Sequence, residues 1–209
     1  MMHNGRLSTA VGKDVFRRLR NPHDVQVFLN KIPYDAEPGT SSPGIVASER
    51  KANCFEGALF AAAALRCLGY KPLIVDMIAE NDDDHVFALF KRGGHYGAVA
   101  KSNTTMLRYR EPVYRSLREL VMSYFDFYFN IKGQKSLRSY SNPVDLSRFD
   151  KRNWMTTDEN LDYIGDYLNE VKHHLVLGGQ MIRKLSYADD DLVGLCFNGA
   201  VKDGVYRPK

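Results

Sequence analysis

The chain has 209 residues, 44% of them hydrophobic and 26% charged, enough for one substantial core and unlike a disordered, fibrous or repeat protein. Its net charge of +4 falls short of what a dedicated nucleic-acid binder carries, and no apolar run reaches the roughly 18 residues that span a bilayer. Cys54, Cys67 and Cys196 are three cysteines at irregular spacing, with no CxxC pair for a zinc site or a redox couple, so neither metal nor cofactor is expected.

In chain order, Asn21-Pro22-His23-Asp24 reads as a turn into a short helix, since Val25, Phe28, Leu29 and Ile32 fall at helical spacing before Pro33. Residues 35–44 are a loop by composition. From Cys54 an alanine-rich run predicts a helix over 54–68, closed by Gly69 with Pro72 just beyond. Three short runs with strand character follow, at 73–78, 85–90 and 96–100, the last two joined by a Lys91-Arg92-Gly93-Gly94 hairpin turn. Pro112 is expected to open a second long helix reaching Asn130, with Val113, Leu117, Leu120, Val121, Tyr124 and Tyr128 on one face. A third helix is expected from Thr157, carrying Leu161, Ile164, Leu168, Val171 and Leu175 and ended by Gly178-Gly179. Leu192–Phe197 is a strand candidate. A helix followed by an antiparallel sheet is an α+β arrangement.

The chemistry centres on Cys54. A thiol at a helix start meets unpaired backbone N–H groups and the positive end of the helix dipole, which favour thiolate. An imidazole nearby activates such a sulfur as a nucleophile, and His85 heads the second strand. The other cysteines read as packing residues. The segment Asn53-Cys54-Phe55-Glu56-Gly57-Ala58, the helix end Leu65-Arg66-Cys67-Leu68-Gly69-Tyr70-Lys71-Pro72 and the strand His85-Val86-Phe87-Ala88-Leu89-Phe90 together resemble the transglutaminase-like superfamily, with its papain-like cysteine-histidine core, over roughly residues 45–105.

That resemblance implies a single domain: an N-terminal helical and loop segment (1–44), a catalytic core (45–105) with the Cys-bearing helix packed on an antiparallel sheet, and a helical extension (106–209). It implies Cys54 as nucleophile, His85 as base, and an acidic third member on the following strand. Here that strand ends Ala100-Lys101-Ser102-Asn103, so Asn103 is taken as the third member, with Ser102 as its rival; an asparagine carbonyl can fix an imidazole tautomer. The implied reaction is acyl transfer or hydrolysis at a peptide or protein amide bond through a thioester, with the Cys54 N–H helping to hold the oxyanion. Water as acceptor makes a protease or amidase and an amine makes a transglutaminase; these residues select neither, nor an oligomeric state.

The missing aspartate motivates a second reading, a catalytically silent peptide-binding or scaffold module of the same fold. Acetyl transfer from a thioester donor is a third, and polyanion binding through residues 101–118 a weak fourth. Asp82-Asp83-Asp84 reads as a solvated turn before it reads as a cation site. Arg108 and Arg110 flank Tyr109 as an exposed edge, Tyr124 to Phe129 read as core, and His95, His173 and His174 as surface residues. Residues 1–12 lack the apolar stretch of a secretory signal, so the expected location is cytoplasmic, with no membrane partner.

Overall fold

The computed structural model describes the backbone of residues 10–208 and side chains from Asp14 onward. Helix α1 spans Ala10–Arg18 and α2 spans Pro22–Lys31; Asn21 caps α2, its side-chain oxygen accepting from Asp24 N at 2.9 Å. The loop that follows ends in α3, Pro43–Glu49, an additional short helix. The alanine-rich run is helix α4, Cys54–Cys67, all but enclosed from Glu56 to Leu65.

Strands β1 (Leu73–Ala79), β2 (His85–Arg92) and β3 (His95–Val99) form an antiparallel meander. Gly93 and Gly94, with φ of +58° and +82°, supply the left-handed turn between β2 and β3. Strand β4 (Arg110–Tyr114) extends the sheet beyond β3, and β5 (Leu137–Ser141), β6 (Val144–Asp145) and β7 (His173–Leu175) add to the other side, giving the order β4-β3-β2-β1-β5-β7 with β6 also on β1. The remaining helices are α5 (Leu117–Met122), α6 (Asp162–Glu170), α7 (Gly179–Ile182) and α8 (Asp190–Phe197). None of the described helices is long and apolar enough to cross a membrane.

The sheet separates two cores, as the two-residue period of β2 requires. Val86, Ala88 and Phe90 pack with α4 and with Val25, Leu29, Trp154 and Ile164 on one face. Phe87 and Leu89 pack on the other with Val75, Met77, Leu120, Tyr124 and Tyr128. The architecture is therefore α+β, with a Cys-bearing helix laid on an antiparallel sheet. At the far end of α4, Arg66 forms a two-pronged pair with Asp150 (2.6 and 2.7 Å), whose carboxylate also accepts from Trp154 Nε1 at 3.0 Å.

Four sequence expectations are corrected here. Pro112 lies inside β4, the strand at the sheet's edge, where proline is tolerated; the expected long helix is a strand, the short α5 capped by Ser116, and a 3₁₀ turn at Phe125–Phe127. The apolar spacing that suggested one helix survives only as burial, with Leu120, Val121, Tyr124 and Tyr128 all enclosed. The third helix is confined to α6, and His173–Leu175 pairs with β5 as a strand, leaving Leu175 exposed; Gly178 sits at the start of α7 instead of ending a helix. Leu192–Phe197 is helical because the Asp189 carboxylate accepts from Asp191 N (3.0 Å) and Leu192 N (3.3 Å). Residues 106–209 thus contribute four strands to the common sheet and are not a purely helical extension.

Candidate active site

The start of α4 is held by a reciprocal cap. Asn53 Oδ1 accepts from Glu56 N (2.9 Å) while Glu56 Oε2 accepts from Asn53 N (3.0 Å), and the second Glu56 oxygen takes the Ser41 N–H at 2.7 Å. This buried carboxylate fixes both the helix start and the 35–42 loop beside it. Gly57 allows the helix to press on the strand end that follows β3: a Cβ there would stand 2.1 Å from the Lys101 Cβ. Lys101 is itself buried, its Nζ donating to the carbonyls of Leu29 (3.0 Å) and Ile32 (2.6 Å) at the end of α2.

A segment that sequence reasoning passed over lies next to the thiol. Tyr34 forms a parallel bridge with Ala52, through Asp35 N to Ala52 O (3.1 Å) and Ala52 N to Pro33 O (3.3 Å), which sets its ring beside Cys54. The Tyr34 phenol lines the same cavity as Cys54, and the two groups act on each other's ionisation. The thiol also stands 3.9 Å from the Asp84 carbonyl. Burial is the largest influence on Cys54 and pushes its pKa up to about 11; the Tyr34 phenol and the Phe55 N–H pull it down, while the negative charges of Asp83 and Asp76 push it up. Burial likewise raises the Tyr34 phenol. The only sequence signal for Tyr34 is an aromatic between Pro33 and Asp35.

His85 begins β2 on the side of the sheet shared with Phe87, where its ring meets Tyr128 edge-on (centroids 6.5 Å apart) and the Leu107 backbone draws its pKa up. Tyr128 adjoins both candidates, since the Cys54 charge acts on its phenol; its hydroxyl donates to Asp83 O at 2.8 Å. His85 is buried and its Nε2 has no hydrogen-bond partner. Burial, with a smaller push from the Arg110 charge, drives the imidazole down to about 4.

Cys54, His85, Ser102 and Asn103 all line one cavity of about 60 Å³, together with Tyr34, Leu107 and Tyr128. That volume admits a few waters. No hydrogen bond joins Cys54 to His85 among the described residues. Ser102 is buried, its hydroxyl 3.0 Å from that of Thr104. Asn103 bonds elsewhere: its Nδ2 donates to Val201 O (2.9 Å) and Gly204 O (2.8 Å), and its Oδ1 accepts from Val201 N (2.8 Å). Gly204, Val205 and Tyr206 complete the cavity wall.

The acidic run is a structured turn. Asp82 accepts from Ser136 Oγ at 2.6 Å and Asp84 from Ala79 N at 2.7 Å, and burial raises all three carboxyls, Asp82 to about 6. Among the described residues no group of three or more His, Cys, Asp or Glu side chains is placed to hold a metal ion. His173, expected on a helix surface, is half-buried with its Nε2 3.4 Å from Asp76 Oδ2; burial and the Asp84 charge raise Asp76 to about 6, against the lowering effect of His173. Arg108 and Arg110 are committed to backbone carbonyls and Ser123, with Arg110 stacked 3.9 Å from the Tyr124 ring centre. Cys67 is exposed, not packed, whereas Cys196 is buried and its residue edges the cavity.

No protein-family model matches the chain, and no curated protein matches it. Among solved structures, it is similar to Legionella pneumophila LapG in an EGTA-treated form, with 11% sequence identity, a TM-score of 0.40, and coverage of 76% of this chain and 84% of that one.

Proposed function

We propose that this chain is a cysteine acyl-transfer enzyme of transglutaminase-like type acting on a peptide or protein amide bond. Cys54 attacks the amide carbonyl, His85 takes the thiol proton and returns it to the leaving amine, and the resulting thioester is released by water or by a second amine. The observation that carries this reading is the common cavity: a thiol at a doubly capped helix start and an imidazole whose Nε2 has no partner line the same small space. The Cys54 N–H, at the helix start and close enough to lower the Tyr34 phenol's pKa, serves as one oxyanion donor.

With Cys54 raised to about 11 and His85 lowered to about 4, both groups are neutral near pH 7 in this closed arrangement. Burial is the first cause for each, so hydration on opening moves the two values toward one another and favours proton transfer. Incubating the full chain with a complex peptide pool and reading new termini, deamidated glutamine and amine adducts by mass spectrometry tests the reading. Product is expected, with an acyl mass on the Cys54 peptide after acid quench, and both are lost in Cys54→Ala and His85→Gln.

One set of contacts favours the silent peptide-binding module: the Cys54 sulfur faces the Asp84 carbonyl at 3.9 Å, and Asn103 is held by Val201 and Gly204. Absence of product and adduct throughout the peptide pool assigns the chain to that reading.

A further inference from the structure

We infer that residues Val201–Tyr206 lie in the groove that receives the substrate, so that the chain carries its own occupant of the site and the site takes a peptide segment with glycine against Tyr34. The inference rests on the peptide-directed reading above, and four contacts converge on it. Asn103 binds the segment through main-chain groups alone, the N–H and carbonyl of Val201 and the carbonyl of Gly204, a mode that reads a peptide backbone and ignores its side chains. The Tyr206 backbone faces Asp83 across the same cavity and draws its carboxyl pKa down. Gly204, Val205 and Tyr206 wall the cavity while Val201, Lys202 and Asp203 are exposed, so the inward half of the segment is the half beside the thiol.

The fourth contact sets the specificity. A Cβ on Gly204 would stand 2.8 Å from Tyr34 Cε1 and 3.1 Å from Asn103 Nδ2. The Tyr34 ring has little freedom to yield, because its backbone is bridged to Ala52 and its phenol is desolvated in the cavity. Any larger residue at this point meets the aromatic ring, so glycine is the residue the constriction admits. The cavity left under the segment, about 60 Å³, has no space for an amide and its flanking residues. Substrate therefore enters as residues 201–206 leave, and this closed state is the reason the imidazole is buried and Cys54 is only partly exposed.

Access to the sulfur tests this without requiring turnover. Full-length protein and its Gly204→Val variant are treated with iodoacetamide near pH 8 and alkylation is read at Cys54 by peptide mapping, which separates it from Cys67 and Cys196. The variant is expected to react about tenfold faster or more, as a local opening would make it. Val201 has φ of −69°, which proline adopts, so Val201→Pro removes one Asn103 contact with little strain and should give a smaller rise. A synthetic peptide, Ala-Val-Lys-Asp-Gly-Val-Tyr-Arg, should then restore protection to Gly204→Val, while its counterpart with alanine for glycine should not. Equal alkylation of the native chain and both variants overturns the inference, as does equal protection by the two peptides. Selective protection with no product from any peptide pool leaves the groove standing and removes the enzyme reading, so the two failures are separable.

Discussion

Tyr34 and Cys54 line the same cavity and each shifts the other's ionisation, the phenol drawing the thiol pKa down while the thiol pushes the phenol up. The nucleophile proposed for acyl transfer is thus tuned by a side chain that lies 20 residues upstream in the sequence. Of the two influences that hold the Cys54 pKa down, the larger is this phenol. In Tyr34→Phe the thiol ionisation midpoint should move upward by about one unit, the effect of one hydrogen bond to a charged group. Ultraviolet absorbance of the thiolate across a pH titration, compared with Cys54→Ala, checks this; an unchanged midpoint removes the phenol from the sulfur's electrostatics.

The buried capping carboxylate of Glu56 should matter for stability. Glu56→Ala leaves the N–H groups of Asn53 and Ser41 without their acceptor, at a cost of about 1–3 kcal/mol. Urea denaturation should show a lowered midpoint, and Glu56→Gln should recover part of the loss, because an amide oxygen can replace only one of the two acceptors.

Gly57→Ala is a one-carbon change that should act by overpacking. The added Cβ would meet the Lys101 side chain at its root, where the chain cannot swing aside. Destabilisation of about 1–3 kcal/mol is expected. Gly165→Ala, whose Cβ would meet only the Phe55 ring at 3.5 Å, serves as the mild comparison in the same thermal melts.

His85 should make the fold acid-sensitive. Its pKa in the folded chain, about 4, is below its ordinary 6.5, so as pH falls the unfolded chain takes up the proton first. The stability associated with the neutral ring is present above about pH 6.5 and is lost as pH drops toward 4, by about 2 kcal/mol at pH 5. Chemical denaturation at neutral and mildly acidic pH should show native protein losing more stability than His85→Leu. Parallel losses in the two would place the imidazole in water.

The helix at 54–67 and the meander of β1 to β3 were legible because each rests on local signals: a capping asparagine and an alanine run for the helix, and two glycines at a hairpin turn for the meander. The later half was less so. Leu120, Val121, Tyr124 and Tyr128 mimic helical spacing, yet tertiary burial and the Ser116 cap break them into short pieces. His173 was misplaced because a three-residue strand carries almost no period of its own. Asn103 was marked from its position after β3, but its engagement by Val201 and Gly204 spans 98 and 101 residues of sequence, and no spacing rule reaches that far. Tyr34 belongs to the same class, a residue whose importance is created by a bridge to Ala52.

The order of the sheet carries a kinetic consequence. Met77 in β1 faces His85 on one side and Tyr140 on the other, so this strand gains its first neighbour from the adjoining hairpin and its second only after a closure of about 60 residues. Until β5 arrives, one margin of β1 presents bare peptide groups, a liability during synthesis. Refolding should therefore proceed in two stages, an early meander and a late docking of β5 and β7, and substitutions at the β1–β5 seam should slow the second while sparing the first.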